Sequence, residues 1–212
     1  MITAAVRDAA EVIEVLARRG ANVNCMVEMV ERPPNRGQRR YFMPPLHCAI
    51  HHKKPRCVAV MDALIAAGAN VVLPTSAGLR LIHITAEQGN LQALMVLSKD
   101  AGTLVHPSDG PSAETALYVT ARSGQVVFVK DLPTRRILDH EALDKNGRTA
   151  LIYAIVHKQE AVWKVLLASW QAMPATSLVD VDSWSALHHA ARRNLPAAIT
   201  ALRKEASRRQ RS

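Results

Sequence analysis

The chain has 212 residues, and its 49% hydrophobic content is enough for a buried core. No apolar run approaches the roughly 20 residues of a membrane-spanning helix, so no membrane insertion is expected. The net charge of +9 is concentrated at one end, because residues 185–212 carry seven Lys/Arg against one acid and the other 184 residues only 20 against 17.

The apolar content is mostly Ala, Leu, Val and Ile, which leans the fold prior towards all-α. The start, "MITAAVRDAAEVIEVLARRG", has no basic segment followed by an apolar block and does not read as a secretory signal. Three cysteines, Cys25, Cys48 and Cys57, with no N-x-[ST] site, fit a reducing compartment better than a disulfide scaffold. The expected localisation is cytoplasmic or nuclear.

In chain order, the first amphipathic stretch is "AAEVIEVLARRGANVN" (9–24), which ends on Gly-Ala-Asn-Val. Glycine there can take the left-handed backbone that terminates a helix. Residues 25–43 contain Pro33, Pro34 and Gly37 and predict an extended loop, either functional or a disordered insertion. "LHCAIHHKKPRC" (46–57) follows, with His47, His51 and His52 beside Cys48 and Cys57. Imidazole and thiolate are ligands that zinc prefers, and helical spacing would put His47 and His51 on one face. A second helix, "RCVAVMDALIAAGAN" (56–70), closes on the same Gly-Ala-Asn, and "LQALMVLSKDAG" (91–102) is a third of this kind.

"HPSDGPS" (106–112) puts His, Ser and Asp together, but its composition is that of a turn, and a catalytic triad needs convergence across the fold. Pro133 is expected to interrupt the helix after "QVVFVKDL", leaving "TRRILDHEALD" as a separate segment. "EAVWKVLLASW" (160–170) places Trp163 at core spacing. Asp180 and Asp182 precede a turn, where aspartate commonly bonds backbone. Pro196 opens a last helix, "PAAITALRKEA", at a tolerated first-turn position, and a basic tail is expected over 206–212.

Five stretches align: "PPLHCAI" (44–50), "RLIHITA" (80–86), "TALYVTA" (115–121), "TALIYAI" (149–155) and "SALHHAA" (185–191). Their third residues, Leu46, Ile82, Leu117, Leu151 and Leu187, are spaced by 36, 35, 34 and 36. The pattern resembles the ankyrin repeat, whose T-P-L-H-x-A turn and two antiparallel helices recur about every 33 residues. The resemblance covers roughly residues 3 to 205 and implies an all-α solenoid of stacked helix pairs, with a partial repeat over 1–24 and repeats starting near 44, 80, 115, 149 and 185. Ala4 and Ala5 match paired small residues of a first helix with no turn before them, so the start is either truncated or an atypical cap.

The resemblance assigns the turn histidines His47, His83 and His188 a structural role, bonding backbone and stitching each turn to its neighbour. It puts Cys48 and Cys57 on helices as buried residues that behave as small hydrophobes. No metal and no cofactor are therefore expected. No nucleotide, hydrolase or metalloprotease motif occurs, and the chain is expected to be non-enzymatic.

For function, the resemblance implies a protein-interaction module or scaffold that holds another protein on its concave face; Arg192 and Arg193, expected on the same side as Trp184, could meet an acidic segment of that partner. Contacts would come from loop tips, at Tyr41, Met43, Leu79, Glu114, Lys145, Arg148, Asp182 and Trp184. They would also come from first-helix ends, at His51, His52, Glu87, Gln88, Arg122, Ser123, His157, Arg192 and Arg193. Trp184 either presents its ring to a partner or folds back onto its own loop. One alternative is a nuclear or nucleic-acid adaptor using Arg203, Lys204, Arg208, Arg209 and Arg211, although no aromatics interleave them. Another is that the chain is the interaction domain of a larger protein whose activity lies elsewhere.

Overall fold

The computed structural model describes residues 9–31, 39–51, 57–98, 115–134, 143–169 and 178–209. The chain divides into two compact units, Met1–Pro111 and Ser112–Ser212. In the first unit α1 (Ala10–Arg18) is followed by strands β1 (Val27–Glu31) and β2 (Arg39–Met43), then by α2 (Pro45–His51), α3 (Cys57–Ala66), α4 (Leu81–Gln88) and α5 (Leu91–Leu97). The second holds α6 (Ala116–Ser123), α7 (Val126–Thr134), α8 (Ala150–Val156), α9 (Glu160–Ser169), α10 (Ala186–Arg192) and α11 (Pro196–Arg209).

All but the last of these helices have between 7 and 10 residues, too short to persist in water alone. They persist because like packs on like. In the first unit α1, α3 and α5 line up side by side, as do α2 and α4. In the second, α6, α8 and α10 form one row and α7 and α9 another. A first helix therefore meets its own partner and its neighbours, and its apolar residues cover most of its circumference. Leu81–Ala86, Ala116–Ala121 and Ala150–Ile155 are buried without a break. Second helices bury one stripe only, such as Val162, Trp163 and Leu166 in α9, and leave Lys164 and Ala168 in solvent. This is the helix-pair stack that the repeat spacing predicts.

Between repeats the chain makes one recurring tight turn. Thr75, Asp144 and Asp180 sit at its pivot, and the N–H four residues on, at Leu79, Arg148 and Trp184, donates to the pivot side chain at 3.1, 2.7 and 2.9 Å. The third residue after the pivot has positive φ, at Gly78, Gly147 and Ser183. Only the last of these bears a side chain. In the first unit Asn24 joins the two Gly-Ala-Asn ends directly. Its amide donates to the Gly68 carbonyl at 3.2 Å, and its Oδ1 accepts from the Asn70 N–H at 2.7 Å.

Three expectations need correction. The fold is not purely α, because 25–43 is not a plain loop: β1 and β2 pair antiparallel in the register Val27↔Met43 through Glu31↔Arg39. The alternation explains it. Val27, Met29, Tyr41 and Met43 share the inner face, and Glu28, Val30, Arg40 and Phe42 share the exposed one, where Glu28 and Arg40 pair at 3.3 Å. The Phe42 backbone exchanges two 2.8 Å hydrogen bonds with Ser76, which docks the strand to the next turn.

Second, α7 continues through Pro133 to Thr134, because a proline in the final turn removes only one helical donor. Most of the segment expected to follow it lies outside the described residues. Third, α11 begins at Pro196 as expected but runs to Arg209, so residues 206–209 of the expected tail are helical.

The packing predicts a contrast in stability. Trp163→Ala should destabilise by about 3 kcal/mol or more through the cavity left in α9. Val127→Ala, on the exposed side of α7, should stay within about 0.5 kcal/mol. Urea midpoints of the two variants check both values.

Candidate partner-binding surface

The turn histidines are not equivalent. His83 Nδ1 accepts the Arg80 N–H at 3.1 Å, and His188 Nδ1 accepts the Ser185 N–H at 3.2 Å, each closing the first turn of its helix. The same position before His47 is Pro44, which has no N–H to give. His47 is fully buried, and among the described residues neither ring nitrogen makes a hydrogen bond of good geometry. The Leu79 main chain facing the ring gives partial compensation, short of a full bond. The bond within the turn thus forms at two of the three turns and is missing where a proline removed the donor. Burial pushes the His47 pKa down to about 4.

The cysteines are packing residues. Burial raises the Cys48 thiol to about 11, which opposes the thiolate that a metal needs. Cys57 Sγ accepts from the Asn90 amide at 3.4 Å, while Asn90 Oδ1 caps α5 by accepting the Ala93 N–H at 3.1 Å. Among the described residues no three His, Cys, Asp or Glu side chains come together as a metal cluster.

Of the expected contact residues in the first unit, Met43 is withdrawn. It is 1% exposed, because the strand alternation turns it inwards to the core. Tyr41, Leu79 and Gln88 are half-buried and Glu87 is exposed. His52 and Glu114 lie outside the described residues, as does the "HPSDGPS" segment, and of His51 only the backbone is described.

In the second unit some of the expected residues converge. Arg122 and Ser123 end α6 and are half-buried, and the Arg122 carbonyl accepts from the Gln159 amide at 3.0 Å. Lys145, His157 and Asp182 are exposed, and His157 stacks on Tyr153 at 6.0 Å between ring centroids. Arg148, Arg192 and Arg193 line one cavity of about 200 Å3 together with Val156 and His189. The last two were missed by the sequence reading.

The signal for His189 lay in the repeat alignment. Tyr153 holds the same place one repeat earlier, and its hydroxyl donates to Asp144 Oδ2 at 3.0 Å. His189 Nε2 meets Asp180 Oδ2 at 2.8 Å in the same way.

Asp180 organises this region. Its Oδ1 accepts the N–H groups of Asp182 and Trp184, and its Oδ2 meets His189 with Arg148 Nε 3.7 Å away. Burial alone would raise its pKa, but the Trp184 N–H, His189 and the Asp182 N–H outweigh it and hold the carboxylate ionised below its usual range. Trp184 is half-buried, with Arg192 over its ring at 5.2 Å and His189 at 5.4 Å. The ring lies back on α10 and still keeps exposed surface.

Two predictions follow from the buried histidine. Pro44→Thr returns an N–H to His47 Nδ1 and should stabilise by about 1 kcal/mol, measured by urea unfolding at neutral pH. Acid should act the other way. In the unfolded chain His47 titrates near 6.5 and in the folded chain at about 4, so the unfolded state binds more protons between those values. The stability that neutral His47 contributes is full above 6.5 and is lost as pH falls, by roughly 3 kcal/mol at pH 4. Asp180, whose pKa is lowered, adds its own loss below the usual carboxylate range. Unfolding free energies of the intact chain and of His47→Asn across this range should differ mainly in that window.

A family model for ankyrin repeats (three copies) matches residues 82–175 and 134–210, together more than half of the chain. With the repeated turn and the rows of paired helices, that match places the chain in the ankyrin repeat family.

Proposed function

We propose that the chain is a non-enzymatic scaffold that binds another protein through its turn tips and the ends of its first helices, with the main contact in the second unit. Ankyrin repeats are generally protein-interaction modules. The observation that carries the finer reading is the cluster at the last two repeats, where Arg148, Trp184, Arg192 and Arg193 share one face. Clustered arginine and a half-buried tryptophan are the side chains that dominate binding energy in interfaces. The surplus of guanidinium over carboxylate there supports a partner with an acidic segment. The turn histidines His83 and His188, with Asp144 and Asp180, are the frame that fixes these positions. Three free cysteines support a reducing compartment, cytoplasm or nucleus.

The basic end of the chain belongs to a different role. Arg203, Lys204 and Arg208 are exposed along α11, and Arg208 pairs with Glu205 at 3.8 Å. They give α11 a polar solvent-facing side.

Trp184→Ala should weaken capture of the partner by about 2 kcal/mol while lowering stability by no more than about 1 kcal/mol, since the Asp180 hydrogen bond to its backbone N–H survives the change. Affinity capture with quantitative mass spectrometry, paired with thermal melts, measures both. A variant that melts like Trp163→Ala and still captures the partner would refute the assignment, and capture of nucleic acid alone, released by salt, would replace it.

A further inference from the structure

The cavity at the last two repeats is more specific than a basic patch. Its wall is lined by three arginines, Arg148, Arg192 and Arg193, with His189 and Val156 completing it. The nearest carboxylate is Asp180, and it is already used. Its side chain is 1% exposed, Oδ1 accepts two backbone N–H groups, and Oδ2 is taken by His189 with Arg148 beside it. One buried, fully engaged acid cannot neutralise three cations gathered around it.

Among the described residues Arg192 and Arg193 make no ion pair, and Arg148 Nε is buried without a hydrogen bond of good geometry. Like charges in a concavity focus a positive potential, and guanidinium forks match carboxylate and phosphate oxygens. A cavity of about 200 Å3 has room for one such group together with the start of the segment that carries it.

We infer that this cavity is an oxyanion receptor that anchors one carboxylate or phosphate group borne on an extended peptide segment of the partner. The inference rests on the interaction role proposed above and adds the chemistry of its anchor. The geometry divides the work between two neighbours. Arg192 is held over the Trp184 ring at 5.2 Å, so one side chain both lines the cavity and borders an apolar contact. A partner residue with an acidic side chain next to an apolar one fits that pair. Asp180 is a positioning residue, since it fixes the Trp184 backbone and His189 and leaves the outer arginines uncompensated.

The test uses the full chain and short fluorescein-labelled peptides that differ only at a central Glu, phosphoserine or Gln, read by fluorescence anisotropy. The Glu or the phosphoserine peptide should bind saturably, and whichever binds more tightly identifies the source of the oxyanion. The Gln peptide should bind at least about tenfold more weakly. The double variant Arg192→Gln/Arg193→Gln should lose a similar factor, while Lys204→Gln, which removes a charge outside the cavity, should change little. Both arginines are exposed, and a thermal melt confirms that the double variant folds.

Equal binding of the three peptides, or equal loss in Lys204→Gln, would overturn the inference in favour of unspecific charge. Inorganic phosphate competing as tightly as its peptide would overturn the peptide-borne ligand. A partner protein lost by Trp184→Ala but kept by the double arginine variant would refute the receptor while leaving the interaction role intact.

Discussion

The short helix is the constraint from which the other features follow. A segment such as Ala150–Val156 makes too few internal hydrogen bonds to offset its ordering entropy, and its apolar residues run nearly all the way round it. It can hold its shape only when walled in by its partner helix and by the same helix of the adjoining repeats. The turn that delivers each helix must therefore repeat with little error. A drift of one residue would rotate an almost wholly apolar helix against the wrong neighbours.

The pivot of that turn is polar, and its chemistry changes along the chain. Thr75 makes the basic bond alone. Asp144 adds Tyr153, and Asp180 adds His189. Each step ties the turn more firmly to the first helix beneath it. The last step also brings the His189 imidazole against the carboxylate, with Arg148 beside it. Anchoring and charge display are thus coupled at the final repeats, where the turn is most strongly braced and the face beside it most strongly basic.

The departures from regularity have local causes as well. Pro44 removes the donor that His47 would otherwise use, leaving a buried imidazole kept neutral by desolvation. The β1–β2 hairpin occupies the place of a plain inter-repeat loop, and its inner face joins the core through Met43. In the last repeat Leu187 is 39% exposed, although its counterparts at 46, 82, 117 and 151 are buried. The neighbouring His188, Arg192 and Arg193 are exposed with it.

The sequence alone carried the family and the pairing of helices, because constant spacing of an apolar pattern is a one-dimensional record of stacking. It also placed Trp163 in the core and Arg192 and Arg193 at a helix end. It missed the hairpin because Pro33, Pro34 and Gly37 masked a two-residue alternation on either side of them. It made Met43 a contact residue, because position relative to the turn does not reveal which way a strand face points. Packing of the repeats alone brings Arg148 and His189, 41 residues apart, to one cavity, and engages Asp180 with His189 and two backbone N–H groups, with Arg148 beside it. Electrostatic pairing depends on distance and burial, and neither is fixed until the repeats are packed.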